Sequence, residues 1–183
     1  MNKQALIVID IQNEYFEEGK LTLSNPVKTS LTAQKVLEHF RQKELPIAHI
    51  QHLSANPEAM PMFVEGSNGA EIHANVQPLQ GEKVFKKYYP NSFKDTGLLE
   101  YLKENNVTEV VIVGMMTQMC VDSTTRAAFD LGFKCTVISD ACDTMDLEFD
   151  GKKVKAEDVQ TAFFAATSFI FAEVKSSEAF LNS

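Results

Sequence analysis

The chain has 183 residues, enough for one domain with a sizeable core, and an ordinary globular composition. It carries 17 Lys and Arg against 25 Asp and Glu, a formal charge of −8, and no basic cluster longer than Lys86-Lys87 or Lys152-Lys153, which argues against a nucleic-acid surface. Three cysteines, Cys120, Cys135 and Cys142, with no C-x-x-C spacing, argue against a disulfide scaffold, a redox pair or a zinc knuckle.

Elements follow from the apolar pattern. Ala5 to Ile9 reads as a buried strand that stops at Asp10. It is too short for the apolar region of a signal peptide and far short of the roughly 20 residues of a membrane span. Neither a membrane nor a nucleic-acid partner is expected, and the reading is a cytoplasmic protein. Pro26 to Lys43 carries Val27, Leu31, Val36, Leu37 and Phe40 as a helical stripe. Pro46 to Ile50 is a second strand and Lys83 to Lys86 a third. Between them, from His52 to Glu82, lies a long Pro- and Gly-containing stretch, expected to cover a ligand site or an oligomer interface. Thr96 to Asn105 is a short helix and Thr108 to Val113 a fourth strand. Thr117 to Leu131 is a helix ending at Gly132, and Lys134 to Ile138 a fifth strand. A helix from Ala156 to Ser168 and a sixth strand from Ile170 to Val174 complete the series. Near-continuous apolar strands alternating with helices mean an α/β fold: a doubly wound parallel sheet covered on both faces, in a single domain over residues 1–183.

In such sheets ligands bind outside the carboxyl ends of the strands. Asp10, Gln51, His52, Lys86, Lys87, the run Gly114 to Cys120 and the run Asp140 to Asp143 lie there. With Thr117 as a cap, Cys120 falls in the first helical turn, where backbone N–H groups and the dipole favour a thiolate and can hold an oxyanion. A small buried residue packing the helix on the sheet would occupy the same position. Asp10 either caps the turn that follows it or acts as a general base beside a thiol. Lys86 and Lys87 point to opposite faces, and the one facing the site would hold both anions and lower the thiol pKa. His49 and His52, three apart on a strand, do not make a metal pair. No G-x-S-x-G, Walker A or G-x-G-x-x-G motif is present.

The run Ala5-Leu-Ile-Val-Ile-Asp10-Ile-Gln-Asn-Glu-Tyr-Phe16 resembles the opening of the isochorismatase-like cysteine hydrolases. Lys87-Tyr-Tyr-Pro-Asn-Ser-Phe93 is similar to their lysine motif, with a lysine six residues before a phenylalanine. Gly114-Met-Met-Thr-Gln-Met-Cys120 through Gly132 is similar to their cysteine motif, and Asp140-Ala141 to the segment after it. The resemblance covers Ala5 to about Thr144.

It implies a six-stranded, three-layer fold and a catalytic triad of Asp10, Lys87 and Cys120, choosing Lys87 over Lys86. It also implies a cis peptide before Met116, an oxyanion hole from the N–H groups of Met116 and Cys120, and homo-oligomers. Gln12, Phe16, Gln51, Asn91 and Phe93 are expected to shape the substrate pocket. The Asp-x-His and later His that bind metal in nicotinamidases are missing around Gln51-His52-Leu53-Ser54, so no metal or other cofactor is expected. A thiol at Cys120 favours C–N hydrolysis of a small amide or ureido compound through a thioester. The alternatives are vinyl-ether hydrolysis using Asp10 as the acid, and a non-catalytic binding protein. The resemblance puts the lysine strand two strands, about 10 Å, from the Asp10 strand. A turn at Tyr89-Pro90-Asn91 is expected to bring Lys87 back to Asp10.

Overall fold

The computed structural model describes residues 3–182. Its strands are β1 (Gln4–Ile9), β2 (Ile47–His52), β3 (Lys83–Lys87), β4 (Glu109–Met115), β5 (Lys134–Asp143), β6 (Leu147–Phe149), β7 (Lys152–Val154) and β8 (Glu173–Lys175). Six of them form one parallel sheet in the order β3-β2-β1-β4-β5-β8, and β6 and β7 make a separate antiparallel hairpin. The chain enters at the centre, winds outward through β2 and β3, then crosses back to β4. Strand order therefore reverses between β1 and β4, and a crevice opens at their carboxyl ends.

Alternation along β1 divides the core. Leu6 and Val8 face one layer, packed with Ala33, Val36, Leu37 and Phe40 of helix α1 (Pro26–Gln42) and Phe180 of α5 (Ser177–Leu181). Ala5, Ile7 and Ile9 face the other, with Leu98 and Leu102 of α2 (Leu98–Glu104), Ala128 of α3 (Asp122–Asp130) and Phe164 of α4 (Ala156–Ile170). This is the expected three-layer α/β architecture. The α1 stripe differs from expectation at its start. Val27 and Leu31 are exposed, and the small Ser30 and Ala33 face the sheet instead. No helix among the described residues is long and apolar enough to cross a membrane.

Other differences have local causes. The sixth strand begins at Glu173 rather than Ile170, because α4 runs through Ile170 and closes with Phe171 and Ala172 donating to the Thr167 carbonyl. The hairpin turns on Asp150-Gly151, both with positive φ, an Asp-Gly signal that was available in the sequence. Ser176 caps α5 by accepting from the Ala179 N–H. The 52–82 stretch contains two short 3-10 turns, Asn68–Ala70 and Ala74–Val76. It is fastened over the end of β1 by bonds from Asn13 N–H to Glu71 O and from His73 N–H to Ile11 O.

Gly114 marks a register shift between β4 and β5 and has φ +139, a conformation that side chains rarely adopt. A Cβ there would collide with the Ile9 carbonyl. Gly114→Ala is therefore expected to lower stability by about 2–4 kcal/mol in urea unfolding. A loss below about 1 kcal/mol would show that the β1–β4 contact is not as constrained as described.

Candidate active site

Asp10 follows β1 directly, with φ +50 and no exposure. Its N–H donates to Ile50 O at 3.1 Å, which fixes the turn. Lys87 is the last residue of β3 and is also fully buried, while its neighbour Lys86 is exposed and pairs with Glu65. The Lys87 ammonium lies 2.6 Å from Asp10 Oδ2 and 3.2 Å from Cys120 Sγ. Cys120 keeps 6 % exposure, while Asp10 and Lys87 have none.

Staggered strand ends make this meeting possible. Pairing of β1 with β2 ends at Ile9 opposite Ile50, while β2 and β3 stay paired as far as His52 opposite Lys87. Lys87 thus stands beyond the end of β1, and its long side chain crosses the end of β2 to Asp10. The expected backbone turn at Tyr89-Pro90-Asn91 is not the device, since Lys87 is still in its strand.

The approach to Cys120 differs from a capped α-helix. After the cis peptide Met115-Met116, residues Thr117–Val121 form a π turn that continues into α3. The Met116 carbonyl accepts from the N–H groups of both Met119 and Val121. Thr117 does not cap. Its hydroxyl donates to Asp143 O and accepts from Gln160 Nε2. Widened turns of this kind cluster at functional sites.

The electrostatics correct the expectation of a lowered thiol pKa. Burial first, then the Asp10 carboxylate, push the Cys120 thiol well above its ordinary value, and the pull of Lys87 is outweighed. Burial also opposes the Lys87 ammonium, but Asp10 and Cys120 more than offset it and hold Lys87 charged. The resting site is therefore an ammonium–carboxylate pair beside a neutral thiol. Tyr15 stands nearby, its phenol raised by burial and then by Asp10 and Cys120. The Cys142 thiol is buried and raised to about 12 by desolvation, as is Cys135.

The expected pocket residues divide. Gln12 is fully buried, and its amide is spent on backbone, donating to His52 O and Ala70 O and accepting from the His52 N–H. Gln51 also donates to Ala70 O. Asn91 accepts from the Phe93 N–H, and Phe93 stacks on Phe133 in the core layer under α2 and α3. These four side chains brace the fold through the contacts they make. Phe16 stacks on His73 at 3.7 Å and, with Glu17 and Glu18, lines a cleft of about 350 Å³.

Two further residues, Glu14 and Phe63, complete the surroundings. The buried Glu14 carboxylate accepts from the N–H groups of Phe63 and Lys20, pinning the 52–82 segment. Phe63 packs edge-on against Tyr15 and His52. Glu14 follows a strand-end turn by sequence, but only tertiary contact shows its task.

Asp10, His52 and Cys120 present ligand atoms within 4.8 Å of one another. The Lys87 ammonium touches all three, so the cluster already holds a cation. Gln51 offers no carboxylate, and His73 Nδ1 accepts from the Asn75 N–H. The residues present do not fit the nicotinamidase metal arrangement.

A three-layer α/β fold with carboxylate, ammonium and thiol at the switch point of its parallel sheet is the setting of a hydrolase. The Isochorismatase domain model matches residues 4–178, and the chain belongs to the isochorismatase family. It is 46 % identical to the isochorismatase family protein YddQ of Bacillus subtilis over 97 % of this chain and 98 % of that one. The putative isochorismatase hydrolase of Oleispira antarctica superposes with a TM-score of 0.95 at 42 % identity, over 100 % and 97 % of the two chains. N-carbamoylsarcosine amidase of Thermoplasma acidophilum superposes with a TM-score of 0.80 at 27 % identity, over 96 % of each.

Removing one partner of a buried ion pair strands the other charge. Lys87→Met is expected to lose about 3–5 kcal/mol of unfolding free energy, with the double variant Lys87→Met/Asp10→Leu recovering most of it. Additive losses in the double variant would contradict a buried pair.

Proposed function

We propose that the protein is a cysteine amidohydrolase that cleaves the C–N bond of a small amide or ureido compound through a thioester on Cys120. The observation that carries this reading is the Lys87 ammonium bridging the Asp10 carboxylate and the Cys120 sulfur. The similarity to N-carbamoylsarcosine amidase supports the substrate class. The small exposure of Cys120 favours compact substrates.

The reaction begins with the neutral thiol. Asp10 accepts the Cys120 proton as sulfur attacks the carbonyl carbon, forming the S–C bond and a tetrahedral oxyanion. The N–H groups of Met116 and Cys120 hold that oxyanion. The C–N bond breaks, and Asp10 returns the proton to the departing nitrogen. Asp10 then deprotonates a water that attacks the thioester. The C–S bond breaks, the acid is released, and the proton returns to Cys120. Lys87 stays charged throughout, keeping Asp10 oriented and offsetting the negative charge that passes between carboxylate and sulfur. Vinyl-ether hydrolysis needs an acid but no nucleophile, so it leaves the contact between Lys87 and Cys120 without a use.

A screen of small amides, ureido compounds and isochorismate, read by ammonia release and by substrate loss, tests the reading. Cys120→Ser and Asp10→Asn are each expected to lower kcat on the identified amide by about a thousandfold or more. Full turnover by Cys120→Ala, with Asp10→Asn inactive, would move the assignment to acid-catalysed vinyl-ether cleavage.

A further inference from the structure

An ammonium has three N–H donors and no lone pair. Two of the Lys87 donors face Asp10 and Cys120. A third acceptor stands 3.2 Å away, Nδ1 of His52, on the residue directly opposite Lys87 in the β2–β3 pairing. Because Lys87 can only donate, Nδ1 of His52 must present its lone pair, which places any proton of the neutral ring on Nε2.

The surroundings hold that ring in place. Gln12, buried between β1 and the 52–82 segment, accepts from the His52 N–H at 2.8 Å and donates to the His52 carbonyl at 2.9 Å. Phe63 meets the ring edge-on with centroids 5.4 Å apart. His52 extends past the end of β1, so its backbone N–H and carbonyl have no strand partner on that side, and the Gln12 amide takes that place and fixes the residue that carries the ring.

We propose that His52 is a positioning residue of the site: its neutral imidazole completes the Lys87 coordination and holds the ammonium between Asp10 and Cys120, and protonation of the ring removes that acceptor and releases Lys87. This rests on the reading of Asp10, Lys87 and Cys120 as the reacting unit. The titratable groups around the ring are Asp10 from the end of β1, Lys87 from β3 and Cys120 from the π turn, with Tyr15 behind Phe63. Burial, the largest influence, disfavours the charged imidazole, and Lys87 adds to it. Asp10 works in the opposite direction and is outweighed. The ring is therefore neutral at neutral pH and charges only under acid conditions, where a second cation would face the ammonium.

Nitrogen-resolved NMR of the histidine rings in the intact protein reads this without a substrate. The expected result is one His52 tautomer at neutral pH, protonated at Nε2 with Nδ1 accepting, assigned by loss of its signals in His52→Asn. A ring protonated at Nδ1, or an imidazolium at neutral pH, would overturn the proposal.

Two variants then separate positioning from simple packing. His52→Asn supplies a carbonyl oxygen near the Nδ1 position that does not titrate, and is expected to keep kcat within about threefold with its acid limb moved to lower pH. His52→Phe keeps the ring and removes the acceptor, and is expected to lose about tenfold or more in kcat with a smaller change in KM. A folded His52→Phe enzyme with wild-type kcat, or a His52→Asn enzyme with an unchanged acid limb, would also overturn it. The amidase reading fails separately, by full turnover in Cys120→Ser, which leaves the NMR result to stand or fall alone.

Discussion

Everything in the site depends on one cation buried away from the surface. The Lys87 ammonium is buried with a carboxylate at 2.6 Å and a sulfur and an imidazole nitrogen each at 3.2 Å. Burying a charge this deeply costs several kcal/mol unless partners replace the lost hydration. Here the partners come from three segments far apart in sequence: the end of β1, the end of β2 and the π turn after β4. The same cation lets Asp10 remain a buried carboxylate, and it draws Cys120 toward the acid. Once it is in place, the proton on the thiol has one short path, to Asp10.

The fold supplies this meeting through where its strands end. β1 stops at Ile9 while β2 and β3 continue, so a residue two strands away looks over a shortened neighbour. Gly114 lets β4 pass close against Ile9, bringing the π turn and Cys120 to the same spot. Gln12 and Glu14, both buried polar residues, tie the 52–82 segment over this opening through backbone hydrogen bonds. Rigid elements thus set the positions of Asp10, Lys87 and Cys120, and the fastened segment covers them.

Much of this could be read from the residues, and the failures share a cause. Strand cores such as Ala5 to Ile9 declared themselves because burial on both faces leaves an uninterrupted apolar run. Asp10 and Cys120 were marked by position at strand ends. Lys87 could not be told from Lys86 by alternation alone and was chosen through family resemblance. A sequence does not show that the amides of Gln12 and Gln51 reach distant carbonyls, those of His52 and Ala70, or that Phe93 stacks on Phe133. The thiol pKa was misjudged in sign. A helix start and a lysine are visible in sequence, but the depth of burial and the closeness of Asp10 are not, and those dominate. His52 is marked by its place at a strand end, but its contact with Lys87 depends on pairing across the β2–β3 ladder.

The resting site stores its proton on Cys120 beside an intact Lys87–Asp10 pair. The most direct measurement is an ultraviolet titration of thiolate absorbance in the intact protein, taken as the difference from Cys120→Ser. No thiolate from Cys120 is expected between about pH 6 and pH 9, with ionisation only in stronger base. A step of one thiolate at or below neutral pH would contradict it, and would mean that the lysine wins over burial and Asp10 rather than the reverse.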